Sequence, residues 1–135
     1  MMIRIQEEPL DLEELIQATR NTEAGAIVTF QGTVRKYSGS MEVTSLIYES
    51  YKEMALNVIQ TIVDEAKDKF GVLEVNVLHR IGTVNIKEDS VAISVSSAHR
   101  KEAFKACEYI IDSIKEKVPI WKKDVKPGGE AKWRD

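Results

Sequence analysis

The chain has one cysteine, two histidines and three prolines among 135 residues, and each scarcity excludes something. A single cysteine, Cys107, excludes an internal disulfide and points to a reducing, cytoplasmic setting. One cysteine and two histidines far apart in the chain leave no ligand set for a structural zinc site, so no metal and no cofactor is expected. No apolar run approaches membrane-spanning length, so no membrane association is expected. The opening MMIRIQEEPLDLEE turns acidic at once, unlike a signal or transit peptide. Positive charge is also short overall: a formal net charge of -3 argues against general nucleic-acid binding. Hydrophobic (43%) and charged (30%) fractions are those of an ordinary globular protein, and one domain over residues 1–135 is expected. A chain of this length buries roughly two thirds of its unfolded surface, enough to fold without metal or disulfide.

Against that acidic background, one stretch is basic. From Lys115 to Arg134 there are seven basic residues, namely Lys115, Lys117, Lys122, Lys123, Lys126, Lys132 and Arg134. Only Glu116, Asp124 and Glu130 offset them, leaving a local excess of four. Concentrated positive charge in an acidic chain implies an anionic ligand. Pro119 sets the local geometry, because the residue before a proline is pushed to extended dihedrals and the preceding helix must end. Lys115 then lies in the last helical turn. Ile120 to Val125 reads as a strand, and Lys126-Pro127-Gly128-Gly129 as a turn. In that strand Ile120, Lys122 and Asp124 face one side, and Trp121, Lys123 and Val125 the other. Lys122 and Lys123 therefore do different jobs, one toward a site and one toward solvent or a partner.

The rest of the chain alternates between the two periodicities. Ile3 and Ile5 mark a short strand, and Pro9 and Asp11 start a helix through about Arg20. Ala26 to Arg35 is a strand with one apolar and one mixed face. Lys36 to Met41 is a polar, mobile loop, and Val43 to Tyr51 is a strand expected to pair with Ala26–Arg35 as a hairpin. A helix from about Lys52 to Lys69 buries Met54, Ala55, Val58, Ile59, Ile62, Val63 and Ala66. Val72 to Ile81 is a strand and Gly82 to Asp89 a turn-rich connection. Val91 to Ala98, nearly uncharged and β-branched, is a central strand. The last helix runs from about Arg100 to Lys117, with Ala103, Phe104, Cys107, Ile110, Ile111 and Ile114 as its buried stripe. The class is α+β.

Each candidate site residue has a plain reading and a sharper one. Lys115 either bonds terminal carbonyls and favours the helix dipole, or is a partly desolvated amine among cations, competent as base or nucleophile. Lys122 and Lys123 are either a solvated strand edge or ligand contacts. Trp121 and Trp133 read as core. Arg35, at a strand end beside a glycine loop, is either a surface ion-pair partner or a phosphate clamp. Ser97-Ala98-His99-Arg100 joins a strand to a helix N-terminus, either as a plain cap or as an anion site strengthened by His99 and Arg100. His79-Arg80 at a strand end reads as structural. Cys107, on the apolar stripe, behaves as a small hydrophobe, so the chain lacks a thiol nucleophile of its own.

Five segments in order go further: GAIVTFQGTVR (Gly25–Arg35), LIYESYKEMA (Leu46–Ala55), HRIG (His79–Gly82), SSAHRKEAF (Ser96–Phe104) and K-x5-WKKD (Lys115–Asp124). Together they resemble the large, catalytic subunit of molybdopterin synthase, over nearly the whole chain. The resemblance implies an α/β-hammerhead fold, a homodimer of large subunits, and a heterotetramer with two small ubiquitin-like subunits. It implies that the small subunit's Gly-Gly thiocarboxylate donates sulfur twice to cyclic pyranopterin monophosphate, forming the dithiolene of molybdopterin. By position, Lys115 and Lys122 match the catalytic lysines, and Arg35, His99 and Arg100 the anion and pterin pocket. Lys122-Lys123-Asp124 keeps the family's basic-basic-acidic order, with Lys123 assigned to substrate binding. Relatives continue beyond the point matching Asp135, so any tail contribution is expected to be absent or supplied otherwise. Two other classes stay open: a non-catalytic pterin- or nucleotide-binding protein of this fold, and an interaction module for a ubiquitin-like tail.

Overall fold

A computed structural model describes residues 1–134. Its elements run β1 (Ile3–Gln6), α1 (Leu12–Thr19), β2 (Ala26–Thr33), β3 (Tyr37–Ser38), β4 (Met41–Glu42), β5 (Ser45–Ser50) and α2 (Lys52–Phe70). They continue with β6 (Glu74–Arg80), β7 (Gly82–Asn85), β8 (Asp89–Ser97), α3 (Arg100–Lys117), β9 (Ile120–Val125) and β10 (Ala131–Trp133). Helices and mostly antiparallel strands mix as the α+β class requires, with one parallel pair, β1 against β6.

The main sheet has the order β1-β6-β8-β2. Strand β8 is central, as its β-branched sequence predicts, and both of its faces are covered. Val91, Ile93 and Val95 point into a core built with Ile59, Ile62 and Val63 of α2 and Ala103, Cys107 and Ile110 of α3. Ala92, on the opposite face, meets Leu15 of α1. Burying a Val, Leu or Ile side chain contributes about 1.5–3 kcal/mol, so this core carries the fold. Helix α1 starts where Asp11 accepts a 3.1 Å bond from the Glu14 amide. Helix α2 stops at Gly71, whose φ of 64° is the left-handed conformation that glycine adopts without strain.

A second sheet, ordered β10-β9-β5-β7, crosses beyond the end of α3. Pro119 turns the chain so that β9 runs antiparallel beside β5, with Lys122 opposite Tyr48. Val34, Leu46, Tyr48 and Val84 form a small separate core beneath it.

Three expectations need correction. Strands Ala26–Arg35 and Val43–Tyr51 do not form a hairpin: β2 pairs with β8 along its length, and β5 pairs with β7 and β9. A strand's own alternation shows which face is apolar but not which neighbour completes it, and a doubly buried β8 demands a partner on each edge. The register shifts between Gly32 and Thr33, and the Val34 amide bonds Glu88 instead, carrying the chain away from the first sheet. The Gly82–Asp89 connection contains a true strand, β7. Met54, Phe104, Trp121 and Trp133 are not core but roughly half exposed, because each sits just off the buried stripe or on the outer strand face.

Candidate functional site

A cleft of about 810 Å³ opens where the two sheets meet the C-terminal end of α3. Its lining includes Arg35 just past β2, Lys115 from the last turn of α3, Lys122 of β9 and Arg134 just past β10. Their convergence follows from local chain logic. The bulge ending β2 turns Arg35 inward, Pro119 folds β9 back along α3, and the Lys126–Gly129 turn returns β10 along β9. That turn requires two consecutive positive φ angles, 99° at Gly128 and 92° at Gly129. The Arg134 amide then bonds the Lys122 carbonyl at 2.9 Å.

Asp124 organises the cationic wall. It is 4% exposed and lies on the same strand face as Lys122. The Arg134 guanidinium donates to it through Nη2 and through Nε, the latter at 3.1 Å. Ser38 Oγ donates to its other oxygen at 3.3 Å. A buried carboxylate needs such partners, and a fork-shaped guanidinium supplies two donors at once. The loop expected to be mobile is therefore fastened: β3 and β4 form a short ladder, and Ser38 ties it to the cleft wall.

Lys122 stands half-buried among these cations. Burial pushes its ammonium below the ordinary lysine pKa, and the charges of Arg134, Lys115 and Arg35 add to that, with Asp124 opposing. Desolvation and nearby cations both favour the neutral amine, the form that accepts a proton or attacks. Tyr48 faces it across the strand pair, its phenol raised by burial.

Other expected site residues lie elsewhere in the chain. Lys123 is on the opposite face of β9, its ammonium 4.3 Å from the Trp133 ring centroid and 3.9 Å from Glu49. Strand alternation puts it there, so within one chain it does not line the cleft. His99 is the N-cap of α3 and Arg100 its first residue. Fifteen residues of helix separate Arg100 from Lys115, about 22 Å along the axis, so one chain cannot bring them to the same cleft. Arg80 is structural, bonding Glu88 at 3.3 Å and the Glu7 carbonyl at 3.0 Å. Sequence reasoning passed over Arg134 as a site residue. The available signal was the turn itself, since a hairpin closing at Lys126–Gly129 must return Arg134 to the neighbourhood of Lys122.

Cys107 is buried and unpaired in a disulfide, and burial pushes its thiol up to about 11. A thiol so protonated and enclosed is a poor nucleophile. Cys107→Ala is accordingly expected to leave catalysis within about twofold of wild type and to cost roughly 1 kcal/mol of stability. Thiol-reagent labelling checks this: modification should appear only on unfolding. Among the described residues no group of three or more His, Cys, Asp or Glu stands together to hold a metal. Among the described residues no helix is long and apolar enough to cross a membrane.

Comparison with known proteins gives a consistent picture. The family model described as MoaE protein matches residues 5–117. The molybdopterin synthase catalytic subunit of Thermoplasma volcanium is 54% identical over 131 residues, covering 97% of this chain and 96% of that protein. The Bacillus subtilis molybdopterin synthase catalytic subunit is 43% identical, covering 90% of this chain and 78% of that protein. The crystal structure of molybdopterin synthase from Staphylococcus aureus superposes with a TM-score of 0.91 at 41% identity, covering 97% of this chain and 95% of that one. A chain in the protein–protein complex of subunits 1 and 2 of the Helicobacter pylori molybdopterin-converting factor superposes with a TM-score of 0.81 at 26% identity, covering 98% and 90%.

Proposed function

The chain belongs to the MoaE protein family, that of the molybdopterin synthase catalytic subunits, and from this premise we propose that its cationic cleft is the sulfur-transfer site. The donor is the C-terminal Gly-Gly thiocarboxylate of a small ubiquitin-like subunit. The acceptor is cyclic pyranopterin monophosphate, which receives two sulfurs and becomes the dithiolene of molybdopterin. In each transfer a carbon–sulfur bond forms on the pterin side as a carbon–oxygen bond there breaks, its oxygen leaving as water or on the opened phosphate, and the donor's acyl–sulfur bond breaks by hydrolysis. Water supplies the oxygen that leaves the donor as a carboxylate.

The observation carrying this reading is the meeting of Arg35, Lys115, Lys122 and Arg134 in one cleft of a chain whose only thiol is buried and raised. Both reactants are anions, and the chain needs no sulfur of its own if a partner brings it. Lys115 and Lys122 hold the thiocarboxylate, and Lys122, biased toward its neutral form, moves the proton. Arg35 clamps the phosphate. His99 and Arg100 complete a cleft only when a second copy of the chain brings the start of its α3 there, which is the role assigned to the homodimer. Lys123, on the outer face, is assigned to a partner surface and not to the pocket.

Mixing the protein with thiocarboxylated small subunit and the pterin precursor tests this, with the dithiolene product as readout. Product formation is expected. Binding of the small subunit without product would leave an interaction module, and binding of the pterin phosphate without product a ligand-binding protein. Arg35→Ala should raise KM for the pterin phosphate about ten- to a hundredfold with a smaller change in kcat, the size of one charge-assisted hydrogen bond. An unchanged KM would remove Arg35 from the phosphate site.

A further inference from the structure

At the buried side of the cleft stands His79, which the transfer chemistry above does not use. Its Nδ1 lies 2.8 Å from the Arg80 carbonyl oxygen. A carbonyl oxygen only accepts, so Nδ1 carries the hydrogen. In the neutral ring Nε2 then holds a lone pair, and among the described residues the ring's one hydrogen bond is that of Nδ1. The ring is also fixed in direction: Tyr48 packs edge-on at 5.5 Å between centroids and 69° between planes. Burial keeps it neutral by pushing its pKa down to about 4; the Arg80 carbonyl opposes this shift and the Lys122 charge adds to it.

In their charged forms the cations of the cleft donate hydrogen bonds and accept none. They grip an anion but are blind to the donors on the rest of a ligand. Of the nearby hydroxyls, Ser90 Oγ is already committed to the Gly32 carbonyl at 3.1 Å. An acceptor that is oriented and unpartnered on the wall of a cleft is free to take a hydrogen bond from a ligand.

We propose that His79 is a specificity-determining residue of the cleft, its Nε2 accepting a hydrogen bond from an N–H or O–H on the heterocycle of a ligand whose anionic group the cations hold. The inference rests on the pterin-phosphate reading, since a reduced pterin is rich in N–H donors. It adds a division of labour. The cations supply affinity for any phosphate, and His79 selects the ring attached to it. A site built to bond a donor rejects analogues that lack it, because its own polar group is left unpaired.

Nitrogen NMR of protein labelled with 15N-histidine tests this without any variant. In the free protein the His79 Nε2 signal should be that of an unprotonated ring nitrogen and should persist in Lys122→Ala. Cyclic pyranopterin monophosphate should move it toward the hydrogen-bonded range, and inorganic phosphate should not. In parallel, His79→Phe should raise Kd for the pterin phosphate by about tenfold and leave Kd for inorganic phosphate unchanged. His79→Gln, whose amide oxygen accepts, should recover most of the loss. A protonated Nε2 in the free protein overturns the proposal, as does a signal that Lys122→Ala displaces. So does His79→Gln binding as weakly as His79→Phe. Pterin phosphate that binds wild type without moving Nε2 overturns this proposal alone, whereas failure to bind at all overturns the sulfur-transfer reading with it.

Discussion

Lys115→Ala and Lys122→Ala are each expected to lower sulfur transfer by about a hundredfold or more, the scale of general acid–base catalysis, with the fold retained. Both side chains line the cleft, and neither belongs to the apolar core. If Lys115 only complemented the helix dipole, its loss would cost about 0.3–1 kcal/mol of stability and little activity. Arginine separates the roles further. Lys115→Arg and Lys122→Arg keep the positive charge but cannot deprotonate in a protein. A fully active Arg variant at either position would limit that lysine to electrostatics. The pH profile adds a signed test for Lys122. Its ammonium is biased toward losing its proton, so activity should rise with pH along a limb lying below the pKa of free lysine, 10.5. Arg134 is the largest charge contribution to that bias, so Arg134→Ala should move the limb to higher pH. An unmoved limb would assign it to another group.

The second large effect concerns Arg100 and Lys122, which one chain does not bring to the same cleft. Arg100→Ala and Lys122→Ala homodimers should each be nearly inactive. Co-expressed in equal amounts, they should recover about a quarter of wild-type activity. The arithmetic is that of a shared site. Half of the dimers are mixed, and each mixed dimer has one cleft with both residues intact and one with neither. If Arg100 served only the chain it belongs to, no combination would contain an intact site, and the mixture would stay inactive. Light scattering of the free protein accompanies the experiment, because a monomer at micromolar concentration would also contradict the shared cleft.

Local features of the fold were legible where one rule dominates. Pro119 and the two-period switch around it placed the end of α3 and the start of β9, and strand alternation correctly separated Lys122 from Lys123. The segment Val91–Ala98 declared itself central because an uncharged β-branched strand needs both faces covered. What stayed illegible was pairing. Nothing in Ala26–Arg35 says that its neighbour lies sixty residues later and not across the next loop, because backbone ladders are indifferent to side-chain identity. Phe104 and Trp121 misled for a related reason: large apolar residues on the edge of a stripe obey the same spacing as those inside it. At the site, charge density pointed to the stretch from Lys115 to Arg134, and the family resemblance to Lys115 and Lys122 within it. It could not reveal that Asp124 would be buried to fasten Arg134, since burial of a carboxylate depends on the fold around it. His79 sat in plain view, but its value as an acceptor depends on which ring nitrogen the Arg80 carbonyl engages, a fact of three dimensions.

The central claim is that sulfur passes from a partner's tail to a pterin phosphate in this cleft, without resting on this chain. A single turnover with the small subunit's thiocarboxylate labelled in heavy-isotope sulfur tests it, with intact mass spectrometry of both proteins and of the pterin product. The account predicts that the label leaves the small subunit and appears in the dithiolene, while this chain keeps its unmodified mass throughout. Labelled sulfur on this chain, at Cys107 or elsewhere, or a label that stays on the small subunit while pterin phosphate is bound, would contradict it.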